Sequence, residues 1–464
     1  MKRFLALLLG LSLALSLGVA APQGSPRLPS NPPAVKAPSA EFLNTADEVL
    51  TEMSKLLSLP VLVPLKKSVR TREEIREYII RRMKADKEPQ KRYADQKALE
   101  KFGFVPKGFG VEAFLVELLT EQIAGLYDPK AQEFFIADWI SPADQRVVMA
   151  HELTHALQDQ HFQVDPWMDA AKPNDDAELA RDAVLEGSAT AAMVDYLLRG
   201  QAHGIRDMGE LDVSQFLGEL DKSPELAKAP LYIRDELLFP YVAGTTFTQR
   251  FLRANSGWAD FHKVFEKPPV STQQILHPDL YLKGLAPKQV TLPDLARLMR
   301  SGWRELDQNV LGEFGFEELL KQFLGRQRAT RLAPAWVGDR YAVFEQQKTK
   351  QVLLVFLLQL ASEADAARVC GSYSEALELK YANRRDLFRR PNFFSFDTDE
   401  GGVFLRCVGD QCLTVEGANR DLFDRVTRAL GWPAGPAAPA KPLRPAEKTS
   451  VTALLPVAAS SAAR

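Results

Sequence analysis

Residues 150–161 read Ala150-His151-Glu152-Leu153-Thr154-His155-Ala156-Leu157-Gln158-Asp159-Gln160-His161. Four residues advance an α-helix by roughly 400°, so His151 and His155 fall on one face, a turn apart, where two imidazoles can share a tetrahedral metal ion. Glu152 stands beside that face and is the expected general base, placed to take a proton from water activated by such an ion. The helix itself is expected from Ser141-Pro142-Ala143-Asp144, an N-cap followed by proline in the first turn. A chain of 464 residues with 6 His and 60 Asp+Glu would show this H-E-x-x-H pattern by chance on the order of 0.01 times.

A tetrahedral catalytic site needs a third protein ligand and an open position. His161 has the spacing found in the metzincins, but that geometry depends on a glycine that breaks the helix, and Gln158 stands there. In a continuous helix His161 points about 120° away from His155. Glu186 is the favoured alternative. Leu179, Ala183, Glu186, Thr190, Met193 and Leu197 recur at helical spacing and form one inward stripe with Glu186 in its middle. A carboxylate there is costly unless it is paired or bound to metal. A buried pair with Arg181 or Arg199 is the competing reading. Gly187, Ser188, Ala189, Ala191 and Ala192 are small enough to let this helix approach the first closely. The expected site is His₂Glu plus water, with zinc (Zn2+) as cofactor.

Working outward, the composition is that of a globular protein: 46% hydrophobic, 25% charged and a formal net charge of −2. That balance gives no electrostatic reason to expect nucleic acid or an anionic membrane as partner. Lys2 and Arg3, the apolar run Phe4 to Leu17 and Gly18-Val19-Ala20-Ala21 form a signal-peptide pattern over 1–20, with an uncleaved anchor as the alternative. The body of the protein is thus expected to be secreted or periplasmic. A proline-rich linker follows over 21–40, a charged helical region over 41–110, the catalytic region over 111–335 and an α+β domain over 336–432. An Ala/Pro-rich tail over 433–464 has little to bury and reads as disordered. Glu133 to Ala137 is a short β-rich run, and helices are expected near 176–199, 240–255 and 311–325. Of the three cysteines, Cys407 and Cys412 flank a hairpin turn and either pair across it or stay reduced; Cys370 stands apart.

His151 to His155 followed by Glu186-Gly187-Ser188-Ala189 resembles the gluzincin superfamily of zinc metallopeptidases, to which thermolysin belongs. More closely, three segments are similar to uncharacterised secreted bacterial metallopeptidases: Ala150 to His161, the Gly-x-Tyr-Asp-Pro turn at Gly125 to Pro129, and Ser271 to Pro278. The resemblance covers roughly 110–330. It implies a mainly helical zincin-like catalytic domain in an α+β chain, with His151, His155 and Glu186 as zinc ligands and Glu152 as base. It also implies a peptide or protein substrate lying along a small sheet whose edge strand is Glu133 to Ala137. Thermolysin carries an aspartate four residues after its glutamate ligand; Thr190 stands there in this chain, and Asp182, one turn before Glu186, is the candidate to orient a ligand imidazole instead. For the oxyanion donor, His277 is the first candidate, with Tyr241 and Tyr127 behind it. Two other readings stay open at this level: a zinc hydrolase of a non-peptide amide or ester, and a non-catalytic envelope protein with a structural zinc site.

Overall fold

The structure, a computed structural model, describes residues 38–85, 89–209, 224–299 and 301–436. The signal-peptide segment, most of the linker and the tail beyond 436 lie outside the described residues. Among the described residues no helix is long and apolar enough to cross a membrane. The chain is α+β, with a large helical amino-terminal part and a sheet-based carboxy-terminal part. Helices of ten residues or more are numbered below.

The charged stretch after Glu41 forms α1 (Ala40–Leu57), α2 (Arg72–Ala85) and α3 (Pro89–Phe102). Within it lies an unexpected strand, β1 (Lys66–Arg70). Next come α4 (Val111–Gln122), β2 (Gly125–Asp128) and β3 (Glu133–Ala137). The three strands make a small sheet in the order β1-β3-β2, with β1 parallel and β2 antiparallel to β3. The expected edge strand, Glu133 to Ala137, is therefore the central one. Its composition fits that place, since Phe134, Phe135, Ile136 and Ala137 are all fully buried, as in a strand covered on both faces.

Helix α5 (Pro142–Phe162) starts as its sequence demands: the Ser141 side chain accepts from the Asp144 amide and Pro142 opens the first turn. It stops at Gln163, which takes a left-handed φ of 52°. Helix α6 (Asp175–Leu197) is capped by Asn174, whose side chain accepts from the Ala177 amide, and carries Asp175, Asp176 and Glu178 in its positive first turn. It is buried along almost its whole length, between α5 and α7 (Leu231–Ala254). Helix α7 starts well before the expected residue 240 and carries Pro240 inside it. Buried Tyr232, Ile233 and Leu237 continue the apolar face across a proline that reads locally as a helix break.

The carboxy-terminal part comprises β4 (Trp303–Asn309), α8 (Gly312–Leu324), β5 (Trp336–Gln346), β6 (Val352–Leu360), α9 (Glu363–Lys380), β7 (Arg385–Arg390), β8 (Phe393–Thr398), β9 (Gly401–Val408), β10 (Gln411–Ala418) and α10 (Arg420–Ala429). Its seven strands form one antiparallel sheet in the order β4-β5-β6-β10-β9-β8-β7. Alternate residues of β6 serve opposite faces. Leu354, Phe356 and Leu358 join Val369, Tyr373 and Leu377 of α9, whereas Leu353, Val355 and Leu357 join Leu422, Phe423 and Val426 of α10. Helices on both faces explain why β6 is an unbroken apolar run. Because β4 belongs to this sheet, the boundary expected at 336 falls inside the unit. Cys407 and Cys412 are disulfide-bonded across the β9–β10 hairpin, and Cys370 is a buried thiol.

Candidate metal centre

Helices α5 and α6 bring His151, His155 and Glu186 together. The Nε2 atoms of His151 and His155 are 3.2 Å apart. The Glu186 Oε2 atom lies 3.1 Å from the first and 3.4 Å from the second. His151, Glu152 and Glu186 are 5%, 2% and 3% exposed. Burial alone would push the Glu186 carboxyl up, yet the charges and hydrogen bonds of His155 and His151 drive it down to about 2. Burial would likewise lower the His155 imidazolium, but Glu186 outweighs it and holds that group up at about 9. The cluster is built around a buried negative charge that requires a cation beside it.

Glu152 accepts a hydrogen bond from the Tyr127 amide at 3.0 Å. Burial pushes its carboxyl above the ordinary range, against the opposing pull of the two histidines. This contact explains the Gly125 to Pro129 turn. A Cβ on Gly125 would lie 2.5 Å from Val148 and 3.2 Å from the Glu152 side chain, so only glycine lets β2 lie this close to α5. The Tyr127 hydroxyl donates to Asp159 at 2.8 Å, fastening β2 to the end of α5. Asp128 accepts from the Tyr78 hydroxyl and from the Lys130 amide.

The close approach of α6 and α7 is set by glycine on both sides. A Cβ on Gly187 would fall 2.0 Å from the Gly244 carbonyl carbon, and one on Gly244 would fall 2.1 Å from the Ala183 oxygen. One turn before Gly244, the ring of Tyr241 lies nearly parallel to His151, with centroids 6.1 Å apart. Asp182 is buried one turn before Glu186.

The other sequence candidates go elsewhere. His161 faces the Pro60 carbonyl, 2.8 Å away, on an exposed side of α5. His277 is 2.7 Å from the buried carboxylate of Glu313 in α8. Tyr281, one turn on, meets Phe247 of α7 edge-on and lies tilted against Phe251, and Phe314 packs on Phe239. At 100° per residue Phe239 and Phe247 lie about 160° and 120° round α7 from Tyr241, and Phe251 about 80°. His277 thus joins its segment to α8 through Glu313, whereas Tyr241 is the oxyanion candidate that lies beside His151. The segment around it is structural: Thr272 donates to Asp176 at the start of α6, and Gln273 donates to the Trp336 carbonyl.

Asp95, Asp175 and Asp307 also converge. The Lys91 ammonium sits among them at 2.6, 3.5 and 3.4 Å, so this acidic group already holds its cation.

Sequence reasoning missed Gln158, whose Oε1 is 3.1 Å from His155 Nδ1 and whose Nε2 donates to Ser188 Oγ at 2.8 Å. Its position three residues past His155, on the same helix face, was the available clue. In comparisons with known proteins, residues 297–427 match a family described as a domain of unknown function (DUF8575). That match takes in the seven-stranded sheet and stops short of α5 and α6. No curated protein and no solved structure matches the chain.

Proposed function

We propose that this chain is a gluzincin-type zinc metallopeptidase with a zincin-like helical domain, acting outside the cytoplasm on a peptide or protein substrate. The observation that carries the reading is the triangle of ligand atoms with sides of 3.1, 3.2 and 3.4 Å. Bonds of about 2.0–2.1 Å to a tetrahedral ion would place neighbouring ligands about 3.3 Å apart. Two imidazoles and one carboxylate held in that spacing, His151 and Glu186 buried and His155 partly so, suit zinc.

When bound, zinc supplies Lewis acidity that acidifies water and polarises a carbonyl. Glu152 takes the proton of the attacking water and hands it to the leaving amine, and its raised affinity for protons suits both halves of that exchange. Tyr127 fixes the carboxylate through its amide. Tyr241, beside His151, donates towards the developing oxyanion. Among the described strands β1 and β2 are the edges of the small sheet; β2 is the one beside Glu152, so an extended substrate runs along it in place of β3, with the Tyr127 amide kept by Glu152.

The test is zinc content and peptide hydrolysis on the purified protein. A single zinc per chain is expected, lost in Glu186→Ala and retained in His161→Ala, with hydrolysis abolished in Glu152→Gln although zinc stays bound. Zinc retained in Glu186→Ala, or hydrolysis surviving in Glu152→Gln, overturns the reading.

A further inference from the structure

We infer that Gln158 and Ser188 form a relay that fixes the tautomer of His155, making Gln158 the positioning residue for the candidate metal centre. The inference rests on the metal-site reading above and adds a residue to it.

Hydrogen-bond direction is set along a chain of four groups, from the Val184 carbonyl through Ser188 and Gln158 to His155. Ser188 Oγ is 2.6 Å from the Val184 carbonyl and 3.2 Å from that of Leu185. A backbone carbonyl only accepts, so the Ser188 hydroxyl proton is spent on it. The hydroxyl is then left with lone pairs towards Gln158, and the group facing it must be the amide nitrogen, 2.8 Å away. That choice decides which end of the Gln158 amide points where. The carbonyl end therefore faces His155, 3.1 Å from Nδ1. Being an acceptor, it requires a proton on Nδ1. The neutral imidazole then carries its lone pair on Nε2, the atom 3.2 Å from His151 Nε2 and 3.4 Å from Glu186 Oε2.

The two middle links are buried. Gln158 is 3% exposed and Ser188 is 1% exposed, so water does not compete for the amide and the hydroxyl, while the His155 side chain keeps 16% exposure. The relay starts on α6, two residues past Glu186, and ends on α5. One short segment, Glu186-Gly187-Ser188, thus gives a carboxylate, a close contact with α7 and the origin of the relay. A metal-ligating histidine usually donates its second ring N–H to a carboxylate, carbonyl or water. Here a side-chain amide, itself held by a hydroxyl, takes that part.

The test measures zinc affinity by competition with a chelator, together with thermal unfolding of the chelator-treated protein. Gln158→Leu is expected to weaken zinc binding about 10–100-fold. Gln158→Glu keeps an acceptor facing Nδ1 and is expected to bind within about threefold of wild type. Ser188→Ala frees the amide to turn over and is expected to fall between them. Imidazole nitrogen NMR of the zinc-loaded protein should show Nδ1 of His155 protonated. Wild-type affinity in Gln158→Leu, alongside loss in Glu186→Ala, overturns the relay and leaves the metal reading standing. Equal weakening in Gln158→Leu and Gln158→Glu also overturns it, because packing rather than the acceptor would be responsible. A wild type that takes up no zinc overturns the metal reading itself.

Discussion

At Gly187 and Gly244 the missing side chains let α6 and α7 touch backbone to backbone, and Glu186 is the next residue along. Adding a methyl at Gly187 sets a carbon 2.0 Å from the Gly244 carbonyl, a distance only helix displacement relieves. Overpacking of this kind costs ~1–3 kcal/mol or more. Gly187→Ala is expected to lower the thermal midpoint of the chelated protein by several degrees and to weaken zinc binding as Glu186 shifts. An unchanged midpoint would mean that the two helices are not in contact there. The pairing of His151 with His155 was legible because helix periodicity sets which residues share a face, and the same arithmetic turned His161 away; Glu186 stood out as a carboxylate in the inward stripe of a second helix. Gln158 and Tyr241 were harder to read. Their importance lies in Ser188 and His151 across a helix interface, and no local pattern records which helix becomes the neighbour. His277 was opaque for the matching reason, since its partner Glu313 is a long way along the chain.

Caps announced the helices, but strand pairing stayed hidden. β1 (Lys66–Arg70) is short, charged and set among helices, and it pairs with β3 across more than sixty residues of chain. Nothing local specifies that partner. Covering β3 on its second side leaves β2 as the outer strand beside the site among the described residues, where the Tyr127 amide reaches Glu152. In an antiparallel pair alternate residues turn their amides outward, and Tyr127 is one of these. Hydrogen exchange tests the order directly. Amides of Phe134, Phe135, Ile136 and Ala137 should be among the slowest in the amino-terminal half, as for a buried central strand. Exchange as fast as that of β1 would mean that Glu133–Ala137 is an edge after all, and the substrate strand would revert to it.

The two halves of the molecule share one core. Phe102 at the end of α3 meets Tyr341 and Phe356 of the large sheet edge-on, with centroids 5.2 and 5.5 Å away. Just beyond it, Phe104 stacks on Tyr232 of α7 at 4.0 Å. These two rings bridge the sheet to the helix that carries Tyr241. In sequence the halves looked separable at 336, because β4 (Trp-Arg-Glu-Leu-Asp-Gln-Asn, 303–309) is polar, as an outer strand of a sheet can be, and does not show an apolar pattern. The DUF8575 match, beginning at 297, takes in that strand. If the shared core couples the halves, truncating the bridge should destabilise both together. Phe102→Ala leaves a cavity expected to cost ~3–5 kcal/mol. Unfolding in urea, followed by tryptophan fluorescence and by zinc release, should remain one transition displaced to lower denaturant by the same amount in both probes. Two separated transitions, with zinc release unmoved by Phe102→Ala, would show that the metal-bearing helices fold without the sheet, and Phe102 would be a contact between independent domains.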